Sequence, residues 1–264
     1  MVGKIVIHPG FHKTGTTSLQ ATLRQNGPVL WRSTALAIGP KIEPIRRAAR
    51  GFSTYRDQIS LLKFSLRLNA YLGELALPEN RNLVISSEEI AGHMPGRKLV
   101  PDYGALPILM REVVEVLEGR FGTDLDLTFY LSTRNPDSWL QSAWAQQVKG
   151  SRMILDYQDF QQQYGASANL AAMVARIAEA VMPYKVVTHG LEDSQHLKLG
   201  PAEPILKLLD LPAAKFALLK PVRIQNVSPP SDVLQQCLEL NRTNLDEGEL
   251  LKAKRLLLAA AFKL

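Results

Sequence analysis

The sequence has a single cysteine and no long hydrophobic run. Because Cys237 stands alone, an internal disulfide bond and any metal site built from several thiolates are excluded. No apolar stretch approaches the roughly 18 residues that a membrane-spanning helix needs. The first predicted strand begins at Lys4, so we expect no signal peptide and a cytoplasmic location. The sequence also lacks internal repeats, low-complexity segments and metal-ligand spacings. It contains no nucleic-acid-binding module, so we expect a small-molecule or glycan partner rather than a nucleic acid.

The bulk composition fits one globular domain. A chain of 264 residues with 46% hydrophobic content is long enough for a single α/β domain, which we expect to span residues 1–264. The formal net charge is +6 and the pI is near 9.4. Since the basic residues are scattered among carboxylates, this charge is only a weak indication of an anionic ligand.

The stretch from Lys4 to Leu23 combines a strand, a turn and the start of a helix. Its first residues, Lys4 to His8, form a β-branched run typical of a buried strand, and Leu19 and Leu23 share one face of the predicted helix. The unpaired N–H groups at the start of such a helix, together with its dipole, favour an anion. Hydroxyl donors for the same anion are expected from Thr14, Thr16, Thr17 and Ser18.

The loop is related to a Walker A motif but is not one. A Walker A lysine directly follows the second glycine, whereas Lys13 lies two residues before Gly15. The string HKTGTTS, from His12 to Ser18, instead resembles the 5′-phosphosulfate loop of the sulfotransferase family. The resemblance implies a P-loop NTPase-like fold and the donor 3′-phosphoadenosine-5′-phosphosulfate (PAPS), with adenosine 3′,5′-bisphosphate as product and no required metal. It also implies donor binding by His12, Lys13, Thr14, Gly15, Thr16, Thr17 and Ser18.

Strands and helices alternate along the rest of the chain. Further strands are predicted at Trp31 to Ile38, Asn82 to Ile85, Asp126 to Thr133 and Tyr184 to Thr188. This alternation predicts a central, mostly parallel β-sheet flanked by helices. In such sheets ligands bind at the carboxyl ends of the strands, and the residues that follow predicted strand ends include Lys13, Glu88 and Arg134.

Two helical segments lie between the strands. Residues 44–77 are predicted to be helical with an interruption near Gly51, and residues 92–120 hold a loop followed by a helix. Both are candidates for the acceptor side of the site. The arginines of the first segment are either a solvated helix face or a lid that attracts an anionic acceptor; they are Arg46, Arg47, Arg50 and Arg56. Residues 220–264 are predicted to form a polar loop followed by helices.

The resemblance also implies a site for the donor's 3′-phosphate. In sulfotransferases this phosphate is bound by an arginine at a strand end and by a serine eight residues later, and Arg134 and Ser142 have this spacing. The alternative is a structural Arg134 that pairs with Asp137. Arg223 corresponds loosely to a loop that closes over the 3′-phosphate or the adenine.

A general base is expected after the Asn82 to Ile85 strand. Family members use a histidine or glutamate there, which implies Glu88, with its neighbour Glu89 as the second candidate. Either glutamate could instead cap a short helix at Ile90. Lys13 is expected to stabilise the charge that grows on the leaving oxygen.

The sequence therefore resembles the bacterial and carbohydrate-modifying sulfotransferases that have a glutamate base. The expected activity is in-line transfer of a sulfuryl group from PAPS to a hydroxyl or amine of a carbohydrate or small metabolite. Two alternatives stay open, namely a P-loop kinase that uses ATP and Mg²⁺, and a catalytically silent nucleotide-binding protein.

Overall fold

A five-stranded parallel sheet forms the centre of the protein. The computed structural model describes residues 2–98, 100–222 and 229–262. The strands are β1 (Ile5–His8), β2 (Thr34–Ala37), β3 (Asn82–Ser86), β4 (Leu127–Thr133) and β5 (Lys185–Gly190). Their spatial order is β2-β3-β1-β4-β5, and every neighbouring pair is parallel. The predicted single α/β domain with a central parallel sheet flanked by helices is confirmed.

Both faces of the sheet are covered, as the continuous apolar runs of the strands require. Successive side chains of a strand point to opposite faces. In β1, Ile5 and Ile7 belong to one hydrophobic cluster while Val6 belongs to the other. Phe129 and Tyr130 of β4 divide in the same way. Each fully buried aliphatic or aromatic side chain of this kind contributes about 1.5–3 kcal/mol to folding.

The strands are connected and covered by helices. No helix of the described ranges is both long enough and apolar enough to cross a membrane. The helices are α1 (Thr16–Gln25), α2 (Gly27–Leu30), α3 (Glu43–Tyr55), α4 (Gln58–Glu74), α5 (Leu106–Phe121), α6 (Pro136–Gly150), α7 (Tyr157–Tyr164), α8 (Leu170–Ala180), α9 (Glu203–Lys207), α10 (Ala213–Ala217), α11 (Ser231–Asn241) and α12 (Glu247–Phe262).

The interruption of the first helical segment is not at Gly51, as predicted, but at Arg56 and Asp57. Gly51 lies inside α3, where a Cβ would meet no atom within 4 Å and the glycine is merely tolerated. Arg56 ends α3 in the left-handed region with φ of 55°. The carboxylate of Asp57 then caps α4 by accepting a hydrogen bond from the Ser60 N–H over 2.7 Å. Capping chemistry, rather than glycine content, determined this break.

The arginines of α3 are largely occupied by carboxylates. Arg46 and Arg50 both pair with Glu43 at the start of the same helix and with Glu89 in the turn after β3. Arg56 lies 3.6 Å from Asp102, and Arg47 is exposed. The ion pairs of Arg46 and Arg50 attach α3 to the segment that follows β3. These two side chains therefore do not form a freely available basic lid.

Candidate active site

The loop between β1 and α1 has three residues in the left-handed region. Two are glycines, Gly10 with φ of 58° and Gly15 with φ of 91°, and the third is Lys13 with φ of 67°. A Cβ at Gly10 would lie only 2.9 Å from the Thr16 hydroxyl oxygen, so this position requires glycine. A lysine rarely adopts such a conformation, and residues held in it are typical of functional sites.

The start of α1 is open to an anion. Gly15 is the N-cap and supplies no side-chain hydrogen bond, and the first helical bond shown there runs from the Leu19 N–H to the Gly15 carbonyl. The Thr16 hydroxyl oxygen is buried and has no hydrogen-bond partner in the described part of the chain. Buried polar atoms are nearly always paired. The helix start and this hydroxyl therefore have the character of a phosphate-binding cradle.

A chain of buried hydrogen bonds holds the loop onto the strand ends. His8 contacts the Ser86 hydroxyl through Nδ1 at 2.8 Å and the Ser132 hydroxyl through Nε2 at 3.2 Å. The Ser132 hydroxyl lies 2.7 Å from the Thr14 hydroxyl, which donates to the Phe11 carbonyl at 2.6 Å. Burial lowers the pKa of His8 to about 3, so its ring is neutral at physiological pH. The expectation that the Thr14 hydroxyl faces the ligand is wrong, because that group lies fully buried in this network.

The loop opens into a cleft with a volume of about 590 Å³. Of the residues expected at the site, those that line it are His12, Lys13, Gly15, Thr16, Thr17, Ser18, Glu88, Arg134 and Ser142. The sequence prediction missed Met94, Gln146, Lys149 and Leu191, which also line it. Three of the lining residues, Ser142, Gln146 and Lys149, are spaced by four and three along α6 and share a helix face. That spacing was the one available signal for Gln146 and Lys149. Arg223 lies outside the described residues.

Lys13 points its ammonium group into this cleft. Its Nζ donates to the Gln146 side-chain oxygen at 3.4 Å. Burial lowers the pKa of Lys13, as do the neighbouring charges of Lys149 and Arg134, and the Glu88 carboxylate partly opposes this. A single carboxylate thus faces a cluster of cations.

Arg134 connects the end of β4 to the loop. Its Nη1 donates to the Lys13 carbonyl at 3.1 Å, and its Nε donates to the Ser138 hydroxyl at 3.0 Å. These contacts take the place of the alternative pairing with Asp137. Burial lowers the pKa of Arg134, and Glu192 raises it. Arg134 and Ser142 also line an adjoining cleft of about 390 Å³ together with Trp144 and Tyr157.

The two glutamates after β3 have different surroundings. Glu88 lines the cleft, and the Gln20 amide donates to its carboxylate at 3.4 Å. Glu89 instead pairs with Arg46 and with Arg50, the latter at 2.6 Å. The turn is capped by neither glutamate but by Ser87, whose hydroxyl accepts a hydrogen bond from the Glu89 N–H.

His12, which lines the cleft, is held in place by Tyr103 and Trp139. Its main-chain N–H donates to the Tyr103 hydroxyl at 3.2 Å, and its ring stacks on Tyr103 with 14° between the planes. Trp139 donates from its indole N–H to the His12 carbonyl at 2.8 Å and is fully buried. Burial lowers the pKa of His12 to about 3, with smaller contributions from nearby positive groups. A neutral imidazole of such low pKa is a poor general base, so Glu88 is the better candidate.

Within the described residues no group of three or more His, Cys, Asp or Glu side chains is placed to hold a metal ion. In the comparisons with known proteins, no family model matches the chain, and no curated protein matches its sequence significantly. Among solved structures, the chain is similar to a sulfotransferase from Alicyclobacillus acidocaldarius, with 14% sequence identity and a TM-score of 0.48. The match covers 98% of this chain and 94% of that chain. At this identity and TM-score, the likeness assigns neither a family nor an activity.

Proposed function

We propose that this protein is a sulfotransferase that transfers a sulfuryl group from PAPS to a hydroxyl or amine of a carbohydrate or small metabolite. The observation that carries the proposal is the meeting of Lys13, Glu88, Arg134 and Ser142 in one cleft. They come from three separate stretches of the chain, and each has the chemistry that its role needs. A cytoplasmic location stays a prediction.

The donor would be held at both of its anionic ends. The start of α1 and the free Thr16 hydroxyl suit the 5′-phosphosulfate. Arg134 and Ser142 suit the 3′-phosphate, since a guanidinium binds phosphate with a fork of donors. Because Arg134 also contacts the Lys13 carbonyl, the two ends of the donor site would be mechanically joined.

The reaction forms a bond from the acceptor oxygen or nitrogen to sulfur and breaks the bond from sulfur to the 5′-phosphate oxygen. Glu88 accepts the proton that the acceptor loses. Lys13 stabilises the negative charge that grows on the leaving phosphate oxygen, a charge that is larger in the transition state than in the ground state. With the ammonium already beside that oxygen, the proposed mechanism requires no metal ion.

The acceptor would enter from the side of residues 92–120. This segment contributes Met94 to the cleft lining and Tyr103 to the support of His12. We therefore propose that this insertion forms part of the acceptor site. Residues 44–77 contribute through Arg46 and Arg50, which hold the turn that carries Glu88.

The donor is tested by a thermal-shift titration with adenosine 3′,5′-bisphosphate. Adenosine 5′-monophosphate and ATP with Mg²⁺ serve as controls. A ligand at 100 times its dissociation constant adds about 2.7 kcal/mol to the free energy of unfolding, which a melting curve detects. We expect stabilisation by the bisphosphate well above that by either control. Equal or greater stabilisation by ATP would favour the P-loop kinase, and bisphosphate binding without transfer to any acceptor would favour a silent nucleotide-binding protein.

A further inference from the structure

Lys149 lies in the cleft without an assigned role. It occupies the last turn of α6 and faces the same cleft as Ser142 and Gln146. The end of this helix is firmly held. Asn241 of α11 donates to the Val148 carbonyl at 3.0 Å, and Lys254 of α12 donates to the Ser151 carbonyl at 2.9 Å. The position of Lys149 is thus determined by packing.

In the described part of the chain, the ammonium group of Lys149 has no counter-ion. Among residues 2–98, 100–222 and 229–262, no hydrogen bond or ion pair to the Lys149 side chain is found, although the residue is half-buried. The neighbouring Cys237 offers no charge, because burial raises the pKa of its thiol and keeps it protonated. Burial also lowers the pKa of Lys149 itself. Long basic side chains are seldom withdrawn from water unless they are paired.

Lys149 is distant from the proposed 3′-phosphate pair. Lys149 lies seven positions after Ser142 in α6, a rise of about 10 Å along the helix. Gln146, which contacts the Lys13 ammonium, lies between them. Beyond Lys149, Arg97 donates to the Gly150 carbonyl at 3.3 Å and thereby brings the 92–98 loop to this end of the helix. Lys149 is therefore on the Met94 side of the cleft, where the acceptor would enter.

The charges of the cleft lining are unbalanced. Its charged residues are three cations, Lys13, Arg134 and Lys149, and one carboxylate, Glu88. In the proposed donor site, Lys13 is assigned to the leaving phosphate oxygen and Arg134 to the 3′-phosphate, whereas Lys149 has no assigned contact. Lys149 remains, and it is close enough to Lys13 for the two charges to repel.

We infer that Lys149 is the anion-binding residue of the acceptor site, and that the acceptor carries a carboxylate, sulfate or phosphate group beside the hydroxyl or amine that is modified. This inference rests on the proposed function, since it assumes that the donor occupies the opposite end of the cleft. The anion neutralises a half-buried ammonium, and the distance between Lys149 and Lys13 orients the acceptor relative to the transferred group.

The experiment uses inorganic sulfate as the probe. Sulfate is titrated calorimetrically into the full chain saturated with adenosine 3′,5′-bisphosphate, at constant ionic strength set with chloride. We expect wild type to bind sulfate and Lys149→Met to bind it at least tenfold more weakly. Lys149→Arg should stay within about threefold of wild type because it keeps the charge. Lys63→Met, which removes an exposed lysine on α4, is the matched control and should bind sulfate as wild type does. Bisphosphate affinity should change less than threefold in Lys149→Met.

Several results would overturn the inference. The first is that the wild-type complex does not bind sulfate, and the second is that Lys149→Met binds sulfate as tightly as wild type does. The third is that Lys149→Met loses as much bisphosphate affinity as Arg134→Ala does, because Lys149 would then be a ligand of the donor. Failure of wild type to bind the bisphosphate would refute the proposed function instead. The sulfate titration would then be run on the nucleotide-free protein, where a tenfold loss in Lys149→Met would still support an anion site and equal binding would refute it.

Discussion

The guanidinium of Arg134 donates a hydrogen bond over 3.1 Å to the main-chain carbonyl oxygen of Lys13. One residue follows β4 and the other lies in the loop after β1, and these strands are neighbours in the sheet. The contact helps to hold Lys13 in its left-handed conformation, with φ of 67°. Arg134 therefore has two functions in the proposed mechanism, since it binds the donor and also supports the backbone that carries the catalytic ammonium.

Replacement of Lys13 should abolish most turnover. Lys13→Ala removes the cation that stabilises the leaving oxygen, and loss of one such electrostatic contact costs about 10²–10³-fold in kcat. Arg134→Ala should lower kcat less than Lys13→Ala does at saturating donor, because it removes one support of the Lys13 backbone but leaves the ammonium group itself in place. Steady-state kinetics with a responsive acceptor measures both. The opposite ranking would refute the two assignments.

Donor-product binding should depend on Arg134. Hydrogen bonds to charged groups contribute about 1.5–3 kcal/mol, so Arg134→Ala should weaken adenosine 3′,5′-bisphosphate binding by about 10–150-fold. Ser142→Ala should have a smaller effect, and Arg120→Ala, which changes an exposed arginine at the end of α5, should have none. Isothermal titration calorimetry provides the dissociation constants. Undiminished affinity in Arg134→Ala would mean that the 3′-phosphate binds elsewhere.

Substitution of Glu88 should lower kcat, whereas substitution of its neighbour Glu89 should lower the stability of the fold. Glu88→Gln removes the proposed base and should lower kcat by about 10²–10⁴-fold while the free energy of unfolding stays near that of wild type. Glu89→Gln leaves Arg46 and Arg50 with one carboxylate fewer and should reduce stability by about 1–2 kcal/mol. Urea unfolding and kinetics on both variants separate the roles. A fully active Glu88→Gln would exclude Glu88 as the base.

The free energy of unfolding should decrease as the pH is lowered, because His8 is buried in its neutral form. Its pKa is about 3 in the folded protein and about 6.5 when the chain is unfolded. Between these values the unfolded state binds the extra proton, so the free energy of unfolding decreases as the pH falls from 6.5 towards 3. The slope contributed by one such group approaches about 1.4 kcal/mol per pH unit.

Urea unfolding between pH 7.5 and 4 measures this slope. His8→Gln should make the dependence shallower, although His12, whose pKa is also near 3, continues to contribute. His196→Gln, which replaces an exposed histidine, is the matched control for the substitution itself. If His8→Gln and wild type have the same slope, His8 is not buried in its neutral form.

The strands could be predicted because their signal is local. A β-branched run such as Ile5 to Ile7 must be buried on both sides, and the strands expected around Asn82 to Ile85 and Asp126 to Thr133 lie within a residue or two of those observed. The break in the first helical segment was misplaced because a glycine in a helix is a weak signal. Asp57, which is the N-cap of α4, is a stronger signal for the start of a new helix.

Two features of the candidate site depended on the three-dimensional arrangement. Glu88 and Glu89 have identical side chains and adjacent positions, and only the turn after β3 and the approach of α3 direct one to the cleft and the other to Arg46 and Arg50. Similarly, the Thr14 hydroxyl was expected among the ligands but lies in the network below the loop.

The sequence by itself determined the order of strands and helices, the glycine-dependent loop and the residues that follow each strand end. These depend on backbone preferences and on hydrophobic periodicity, which act over a few neighbouring residues. The spacing along α6 places Gln146 and Lys149 on the face of Ser142, but only the tertiary structure decided that this face borders the cleft. The orientation of a helix is set by packing against distant segments such as α11 and α12, and no local pattern encodes those contacts.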